Sequence, residues 1–251
     1  MELKNSAILL TGASRGLGAA LAQRLGDEGA RVVLVARESA ELNASVERLR
    51  ARGVEAHALA ADVGAADAAW PLAASAAALI GPLDVVIHNA STLGPTPLRD
   101  LLDLTPEDFE RVLQVNLLAP FRLSRAIAGS MALRRRGVIV HVSSDASVAA
   151  YPGWGAYSVS KAALDHLARL WAVELAAHGV RAFSVDPGEM DTAMHRAALP
   201  QADPASLADP ARVAACIVEM LRDVERIASG ARLSAADYHA RPSAPEPRAA
   251  P

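Results

Sequence analysis

The sequence is poor in cysteine and lysine and has no long apolar run, and these shortages exclude several kinds of protein. The single cysteine, Cys216, excludes an internal disulfide framework and fits a reducing compartment. No window reaches about 18 consecutive apolar residues, so we expect no transmembrane helix and no membrane partner. The amino terminus lacks the basic start and longer apolar stretch of a signal peptide, so we expect a cytoplasmic protein.

The net charge and the spacing of the histidines also exclude some functions. The formal net charge is −3, from 25 basic and 28 acidic residues, so nothing indicates a nucleic-acid partner. The only basic run, 134–136, is expected to solvate a helix end. The seven histidines lack metal-ligand spacing and no G-x-S-x-G motif is present, so neither a metal site nor a serine hydrolase is indicated. Hydrophobic residues make up 52%, enough for a sizeable core.

Lysine is the scarcest charged residue. Only two of the 25 basic residues are lysines, Lys4 and Lys161, and the other 23 are arginines. In a chain that otherwise uses arginine, each lysine raises the question of what its side chain does.

Apolar strand-like runs alternate with helical patterns along the chain. Strands are predicted at 7–10, 31–35, 55–60, 84–88, 137–142 and 180–185. After the first helix, which ends at Gly29, helices are predicted at 38–52, 65–80, 106–133 (capped by Thr105 and kinked at Pro120), 156–178 and 210–222. This alternation predicts an α/β fold: one doubly wound Rossmann-type domain over 1–240, with a mostly parallel sheet and helices on both faces. Residues 241–251 contain four prolines and are predicted to be a disordered tail.

A glycine-rich turn joins the first strand to the first helix. Gly12 permits a tight turn, and Gly16 and Gly18 would let the backbone approach a pyrophosphate at the helix amino terminus. The spacing differs from G-x-G-x-x-G, and glycines alone would fit a plain turn. Their position between strand and helix favours a dinucleotide site.

The end of the second strand indicates which dinucleotide. An acidic residue there would bind the ribose of NAD, whereas arginine accommodates the 2′-phosphate of NADP. The strand ends in Arg37, and Arg15 of the glycine turn is expected to reach the same phosphate. NADP(H) is therefore favoured over NAD(H), although Arg37 would also suit a solvated strand end.

Polar residues follow the third and fourth strands. Asp62 and Val63 come after one, and Asn89 and Ala90 after the other, at the edge where doubly wound sheets bind ligands. Taken alone, each pair would also fit an Asx turn or a cap.

Tyr157 and Lys161 are four residues apart, so they share one face of a predicted helix. Such a pair would arise by chance in about 2% of chains of this composition. An ammonium near the phenol favours its ionised form and prepares it for general acid–base catalysis.

Two further polar residues have two possible roles each. Ser144, after the fifth strand, is either a donor to a substrate oxygen or a cap. Asn116 is a poor helix former within a predicted helix, which indicates either a specific hydrogen-bonding role or an exposed position.

Together these motifs resemble the classical short-chain dehydrogenase/reductase family over residues 10 to about 233. The cofactor loop, Asn89-Ala90 with Ser91 where the family has glycine, and Asp186-Pro187-Gly188 followed by Thr192 all match. Asn116, Ser144, Tyr157 and Lys161 match the order and spacing of the catalytic tetrad.

The resemblance implies a function and a set of contacts. Tyr157 would exchange a proton with the substrate oxygen, Ser144 would bind that oxygen, Lys161 would bind the nicotinamide ribose and lower the tyrosine pKa, and Asn116 would hold a relay water. The implied cofactor contacts are Gly12, Ser14, Arg15, Gly16, Leu17, Gly18, Arg37, Asp62, Val63, Asn89, Ala90, Tyr157, Lys161, Pro187, Gly188 and Thr192. Residues expected from their positions to line the substrate site are Leu93, Tyr151, Trp154, Met190, Met194 and His195.

The leading hypothesis is an NADPH-dependent reductase of a small or medium ketone or aldehyde, which in reverse would oxidise a secondary alcohol. The alternatives are an NAD-dependent alcohol dehydrogenase of the same family and a non-catalytic cofactor sensor. The seventh strand of the family is reduced here to 227–233, which disfavours a tetramer. A homodimer through the helices at 106–133 and 156–178 is expected, with a modest lid at 193–209.

Overall fold

The computed structural model describes residues 1–37 and 39–239, and strands and helices alternate along them as predicted. Within this part of the chain the strands are β1 (Ala7–Thr11), β2 (Arg31–Ala36), β3 (Ala56–Ala60), β4 (Val85–His88), β5 (Gly137–Val142), β6 (Val180–Asp186) and β7 (Arg232–Ser234). The α-helices are α1 (Gly16–Asp27), α2 (Ala40–Arg50), α3 (Ala69–Ile80), α4 (Pro106–Leu113), α5 (Ala119–Arg134), α6 (Gly155–Leu175), α7 (Ala193–Ala198), α8 (Pro210–Arg222) and α9 (Ala235–His239). The predicted tail, 241–251, lies outside the described residues.

The strands form one sheet in the order β3-β2-β1-β4-β5-β6-β7, and all neighbouring pairs are parallel. The predicted doubly wound α/β fold is therefore confirmed. The strand order reverses between β1 and β4, which opens a crevice at their carboxyl ends. The polar residues that follow the strands converge on this edge.

Helices cover both faces because the strand side chains alternate between two apolar cores. Ile8 and Leu10 of β1 pack in the core that includes residues of α1, α2 and α8. Ala7 and Leu9 of the same strand pack in the second core, with residues of α3, α5 and α6. Burial on both faces explains why the strands read as continuous apolar runs.

The helix predicted over 106–133 is not a single α-helix. A π-helical turn, Gln114–Leu118, separates α4 from α5. Pro120 was expected to cause a kink, but the irregularity precedes it and contains Asn116. Pro120 has no N–H to donate to the Asn116 carbonyl four residues earlier, which breaks the α-helical ladder there. The Ala119 amide donates instead to the Gln114 carbonyl, five residues back.

The basic run at 134–136 does more than solvate a helix end: Arg136 is exposed as predicted, but it also pairs with a carboxylate, and the prediction was wrong for the largely buried Arg134. Arg134 and Arg136 both bind the Asp84 carboxylate, with Nη1 and Nη2 respectively 2.8 Å from Oδ1. The other oxygen of the Asp84 carboxylate, Oδ2, accepts a hydrogen bond from the Ala7 amide at 3.1 Å. We call Asp84, Arg134 and Arg136 the amino-edge cluster, because it lies where β1 and β4 begin.

The last strand is short, as predicted. β7 has three residues and pairs with the carboxyl end of β6. Among residues 1–37 and 39–239, no helix has the length and hydropathy needed to cross a membrane.

Candidate active site

Helix α6 brings Tyr157 and Lys161 to the carboxyl edge of the sheet on its buried face. Their exposed fractions are 8% and 2%, and Lys161 Nζ lies 5.5 Å from the centre of the Tyr157 ring. Ser144 follows β5, and its hydroxyl lies near enough to the Tyr157 phenol to affect its ionisation. Three of the four predicted tetrad residues therefore lie together.

Burial controls the protonation of Lys161. Loss of hydration lowers the Lys161 pKa to about 8, while the Asp165 and Asp186 carboxylates act in the opposite direction. The ammonium donates to the Val142 carbonyl at 2.7 Å. Lys161 thus keeps its charge at neutral pH, and its position is fixed by the end of β5.

Tyr157 differs from expectation. Its pKa is raised to about 12 rather than lowered, because burial disfavours the phenolate more than the neighbouring Ser144 hydroxyl favours it. The nearby carboxylates Asp145 and Asp186 also raise it. In this state of the protein the phenol holds its proton firmly at neutral pH.

Asn116 is 1% exposed, so the alternative of an exposed position is wrong. Its Nδ2 donates to the Thr92 carbonyl at 2.9 Å and to Ser160 Oγ at 3.0 Å. Its Oδ1 accepts from the Thr92 amide at 2.8 Å and from Ser91 Oγ at 3.2 Å. These bonds use both donors and both lone pairs of the amide. The side chain ties the loop after β4 to α6 and has no capacity left for the expected water.

Ser144 caps the short turn that follows β5, which is one of its two predicted roles. Its Oγ accepts from the Ala146 amide at 3.2 Å, as a cap does. It also donates to Asp145 Oδ1 at 2.9 Å, and Tyr151 donates to the other oxygen of Asp145 at 2.8 Å. To donate to a substrate oxygen, the Ser144 hydroxyl would turn away from Asp145.

The glycine turn has the shape that the sequence predicts. Gly12 and Gly16 have φ of +67° and +54°, a region that favours glycine. A Cβ on Gly18 would lie 2.1 Å from the Gly12 carbonyl oxygen, so the start of α1 packs directly on the turn. The amides at the start of α1 are placed to receive an anion, which fits the diphosphate of a dinucleotide.

Asn89 holds this turn in place. Its Nδ2 donates to the carbonyls of Thr11 and Gly12, both at 3.0 Å. In return, Thr11 Oγ1 accepts from the amides of Asn89 and Ala90, both at 3.1 Å. The Asn89 side chain therefore serves the shape of the cofactor turn from the neighbouring strand.

Arg15 and Arg37, the predicted phosphate ligands, are both exposed. Within residues 1–37 and 39–239, neither guanidinium has an ion-pair or hydrogen-bond partner. Nearby, Ser14 is partly buried, whereas the Leu17 side chain packs in the core and offers a cofactor only its backbone. Two uncommitted guanidiniums beside the glycine turn fit a phosphate ester.

The remaining predicted cofactor residues flank the same crevice. Asp62 forms an Asx turn by accepting from the Gly64 amide at 2.9 Å, and the turns that follow delay α3 from its predicted start at 65. Val63 is partly buried beside it. On the other side, Pro187 is buried and Gly188 has a φ of +71°.

Thr192 joins the segment after β6 to the glycine turn. It caps α7 by accepting from the His195 amide at 3.1 Å. Its methyl group lies 3.3 Å from where a Cβ on Gly16 would be. The segment that leads into the predicted lid therefore starts in contact with the cofactor turn.

Aromatic rings lead from the surface to Tyr157. Tyr151 packs edge-on against Trp154 with ring centres 6.4 Å apart, and Trp154 packs in the same way on Tyr157 at 5.5 Å. The other predicted lining residues are less uniform. Met190 packs against the core, while His195 Nε2 lies 3.6 Å from the Glu189 carboxylate. Leu93 is partly buried and Met194 is exposed.

Comparison with known proteins identifies the family. The family model described as short chain dehydrogenase matches residues 6–203. The chain belongs to the short chain dehydrogenase family. It is 34% identical over 194 residues to Dehydrogenase/reductase SDR family member 4 of Pongo abelii. The aligned segment covers 77% of this chain and 69% of that protein. It is 38% identical over 197 residues to Versicolorin reductase 1 of Aspergillus parasiticus, covering 77% and 72%.

Solved structures agree on the fold and differ in the cofactor they hold. A short chain dehydrogenase of Shigella flexneri 2a complexed with NADP has a TM-score of 0.87 and 28% identity, over 94% of this chain and 98% of that one. NAD⁺-bound xylitol dehydrogenase has a TM-score of 0.83 and 25% identity, over 93% and 98%.

Three further residues of this short chain dehydrogenase lie at the site but were not predicted as site residues. Asp145 accepts a hydrogen bond from Ser144, and Ser91 donates to Asn116 and lies near the Tyr157 phenol. Arg232 of β7 donates to the Ser144 carbonyl at 2.8 Å. Only Ser91 carried a signal, since it replaces the glycine expected after Asn89-Ala90.

Proposed function

We propose that this protein is an NADPH-dependent reductase of small or medium ketones and aldehydes, able to oxidise the corresponding secondary alcohols in reverse. The observation that carries the proposal is the buried grouping of Tyr157, Lys161 and Ser144 beside the glycine turn. A proton donor, an ammonium and a hydroxyl within one crevice are what carbonyl reduction requires.

Tyr157 would be the proton donor in this reaction. With a pKa raised to about 12 by burial, the phenol carries its proton at neutral pH, as it would need to in carbonyl reduction. Ser144 would bind that oxygen, and Lys161 would bind ribose hydroxyls while favouring the phenolate that remains. Asn116 would keep the loop after β4 against α6.

The residues around the crevice are of the types that bind NADP(H). The glycine turn and the start of α1 would hold the diphosphate, and Arg15 and Arg37 the 2′-phosphate. The bound nicotinamide supplies hydride. Asp62 and Val63 would flank the adenine, Asn89 and Ala90 the ribose, and Gly188 and Thr192 the nicotinamide.

Replacing Tyr157 tests the activity. Tyr157→Phe removes the proton donor, so we expect turnover of NADPH with a panel of ketones, aldehydes, sugars, ketoacyl thioesters and steroids to fall by about 10²–10⁴. Cofactor binding, measured by NADPH fluorescence, should change little. Tyr238→Phe is the matched control, because that hydroxyl binds Asp223 away from the site. Unchanged turnover in Tyr157→Phe would refute the assignment.

The cofactor preference has its own test. Arg37→Gln removes one charge from the phosphate site, so we expect KM for NADPH to rise about 10-fold or more while KM for NADH stays constant. Equal or better turnover of the unmodified protein with NADH would instead favour an NAD-dependent alcohol dehydrogenase, a reading that the likeness to NAD⁺-bound xylitol dehydrogenase supports.

Assembly as a homodimer remains part of the proposal. Apolar side chains on α5 and α6 are exposed: Phe121, Val159, Leu170 and Val173. Two such helices from each copy would bury this surface, and sedimentation of the purified protein measures the outcome. A cytoplasmic location and a single catalytic domain over 1–240 likewise stay predictions.

A further inference from the structure

Behind the catalytic helix, one arginine connects four separate parts of the chain. Arg232 Nε lies 3.1 Å from Asp165 Oδ2, and its Nη2 lies 3.0 Å from Asp186 Oδ2. Nη2 also donates to the Ser144 carbonyl at 2.8 Å, and Nε to Ser147 Oγ at 3.2 Å. One guanidinium thus joins β7, the end of β6, the turn that carries Ser144, and α6.

The two carboxylates are close enough to the catalytic pair to affect it. Asp165 is 4% exposed and one helical turn after Lys161, on the same buried face of α6. Asp186 ends β6, immediately before Pro187 and Gly188 of the predicted nicotinamide contact. Both carboxylates act on the charge of Lys161, and Asp186 also acts on Tyr157. Without a counter-charge they would place two negative charges behind the proton donor.

We propose that Arg232 is a positioning residue of the active site, which offsets part of the negative charge of Asp165 and Asp186 behind Lys161 and anchors the backbone of Ser144. We call Arg232, Asp165 and Asp186 the carboxyl-edge cluster. A lysine at 232 would keep the charge, but a single ammonium could not reach four partners in the planar arrangement of a guanidinium. The charge effect is independent of substrate, whereas the effect on turnover rests on the proposed function.

Other groups around Lys161 and Tyr157 do not supply this counter-charge. His141 of β5 is buried and its pKa is lowered to about 3, so it is neutral, and burial likewise lowers the pKa of His88 of β4 well below its usual value. Asn116 from the π-helical turn is uncharged, and Asp145 beside Ser144 adds negative charge. Apart from Lys161 itself, Arg232 is the positive group, among the residues that the structure describes, that pairs with both carboxylates.

The scarcity of lysine makes a direct measurement possible. Protein labelled with ¹³C or ¹⁵N in lysine gives two side-chain NMR signals, from Lys161 and from exposed Lys4, which serves as an internal reference. The pH titration needs neither cofactor nor substrate. In Arg232→Gln the loss of the positive charge leaves the carboxylates unbalanced, so we expect the Lys161 midpoint to rise by about one pH unit or more.

Three further variants separate charge from structure. Asp165→Asn in the Arg232→Gln background should return the Lys161 midpoint toward that of the unmodified protein. Arg181→Gln is the matched control, since Arg181 is similarly buried, donates to the Ile227 carbonyl and pairs with Glu225, away from the site. It should leave the midpoint unchanged. Arg232→Lys should keep the midpoint yet lower kcat about 10-fold with KM nearly constant, because Ser144 loses its anchor.

The outcomes distinguish this proposal from the proposed function. A Lys161 midpoint within about 0.3 pH unit of the original in folded Arg232→Gln would overturn it. If that variant fails to fold, Asp165→Asn alone must lower the midpoint, and no movement overturns the proposal as well. A shifted midpoint in a protein that reduces no carbonyl would refute the reductase and support the role of Arg232.

Discussion

Charged side chains form a cluster at each edge of the parallel sheet, and the two clusters have opposite composition. In the amino-edge cluster one carboxylate, Asp84, binds two guanidiniums, and the surplus positive charge reaches water through Arg136, which is 70% exposed. In the carboxyl-edge cluster one guanidinium, Arg232, binds two carboxylates, and the surplus negative charge stays buried beside Lys161. Because charges interact more strongly away from water, we expect the first cluster to affect mainly the stability of the fold and the second to affect the protonation of Lys161.

The largest effect should come from the amino-edge cluster. Asp84→Asn leaves two guanidiniums without their carboxylate, so we expect the free energy of unfolding to fall by about 3 kcal/mol. Urea denaturation measures this, and kcat and the Lys161 midpoint should not change. Glu47→Gln, which breaks an exposed pair with Arg50, is the control and should cost less than about 0.5 kcal/mol. A loss of turnover in folded Asp84→Asn would break the distinction between the clusters.

A smaller effect should separate the two arginines that share Asp84. Arg134 is more buried and also donates to the Leu83 carbonyl, so Arg134→Ala should cost about 1–2 kcal/mol in unfolding free energy. Arg136→Ala should cost less than about 1 kcal/mol, because its charge is largely hydrated. Equal costs would contradict the view that the surplus charge is released to solvent.

The smallest effect concerns pH. Burial alone would raise the pKa of Asp84, but the hydrogen bonds from Ala7, Arg134 and Arg136 outweigh it and hold the pKa below the ordinary 3.8. The folded state therefore binds the proton more weakly than the unfolded state. The stabilisation is complete above the unfolded pKa and is lost as pH falls through the folded pKa. Urea midpoints measured from neutral pH into acid should decline less steeply in Asp84→Asn, and identical slopes would count against it.

Local patterns predicted most of the fold. Apolar runs such as 137–142 marked strands buried on both faces, and Pro210 after Asp209 marked the start of α8 correctly. Pro120 predicted an interruption of the helix, but the π-helical turn itself was not predicted. A proline shows which backbone hydrogen bond is lost and not how the neighbouring residues rearrange.

The site was less predictable where it depends on distant residues. Tyr157 and Lys161 are one helical turn apart and were found by spacing. Arg232 meets Asp165 and Asp186 across 67 and 46 residues of sequence, so no local pattern announced it. The Tyr157 pKa was expected to fall because its cationic neighbour was visible in sequence, whereas the burial that raises it belongs to the assembled fold.

The bonds from Asn89 to the glycine turn bear on how the protein can be divided. A fragment that ends before β4 would contain the entire turn and α1, yet it would lack the amide that holds the Thr11 and Gly12 carbonyls. We therefore expect the glycine turn to gain its full set of hydrogen bonds only when the fourth strand has docked beside the first. A fragment limited to the amino-terminal strands is expected to hold a less ordered turn than the whole chain.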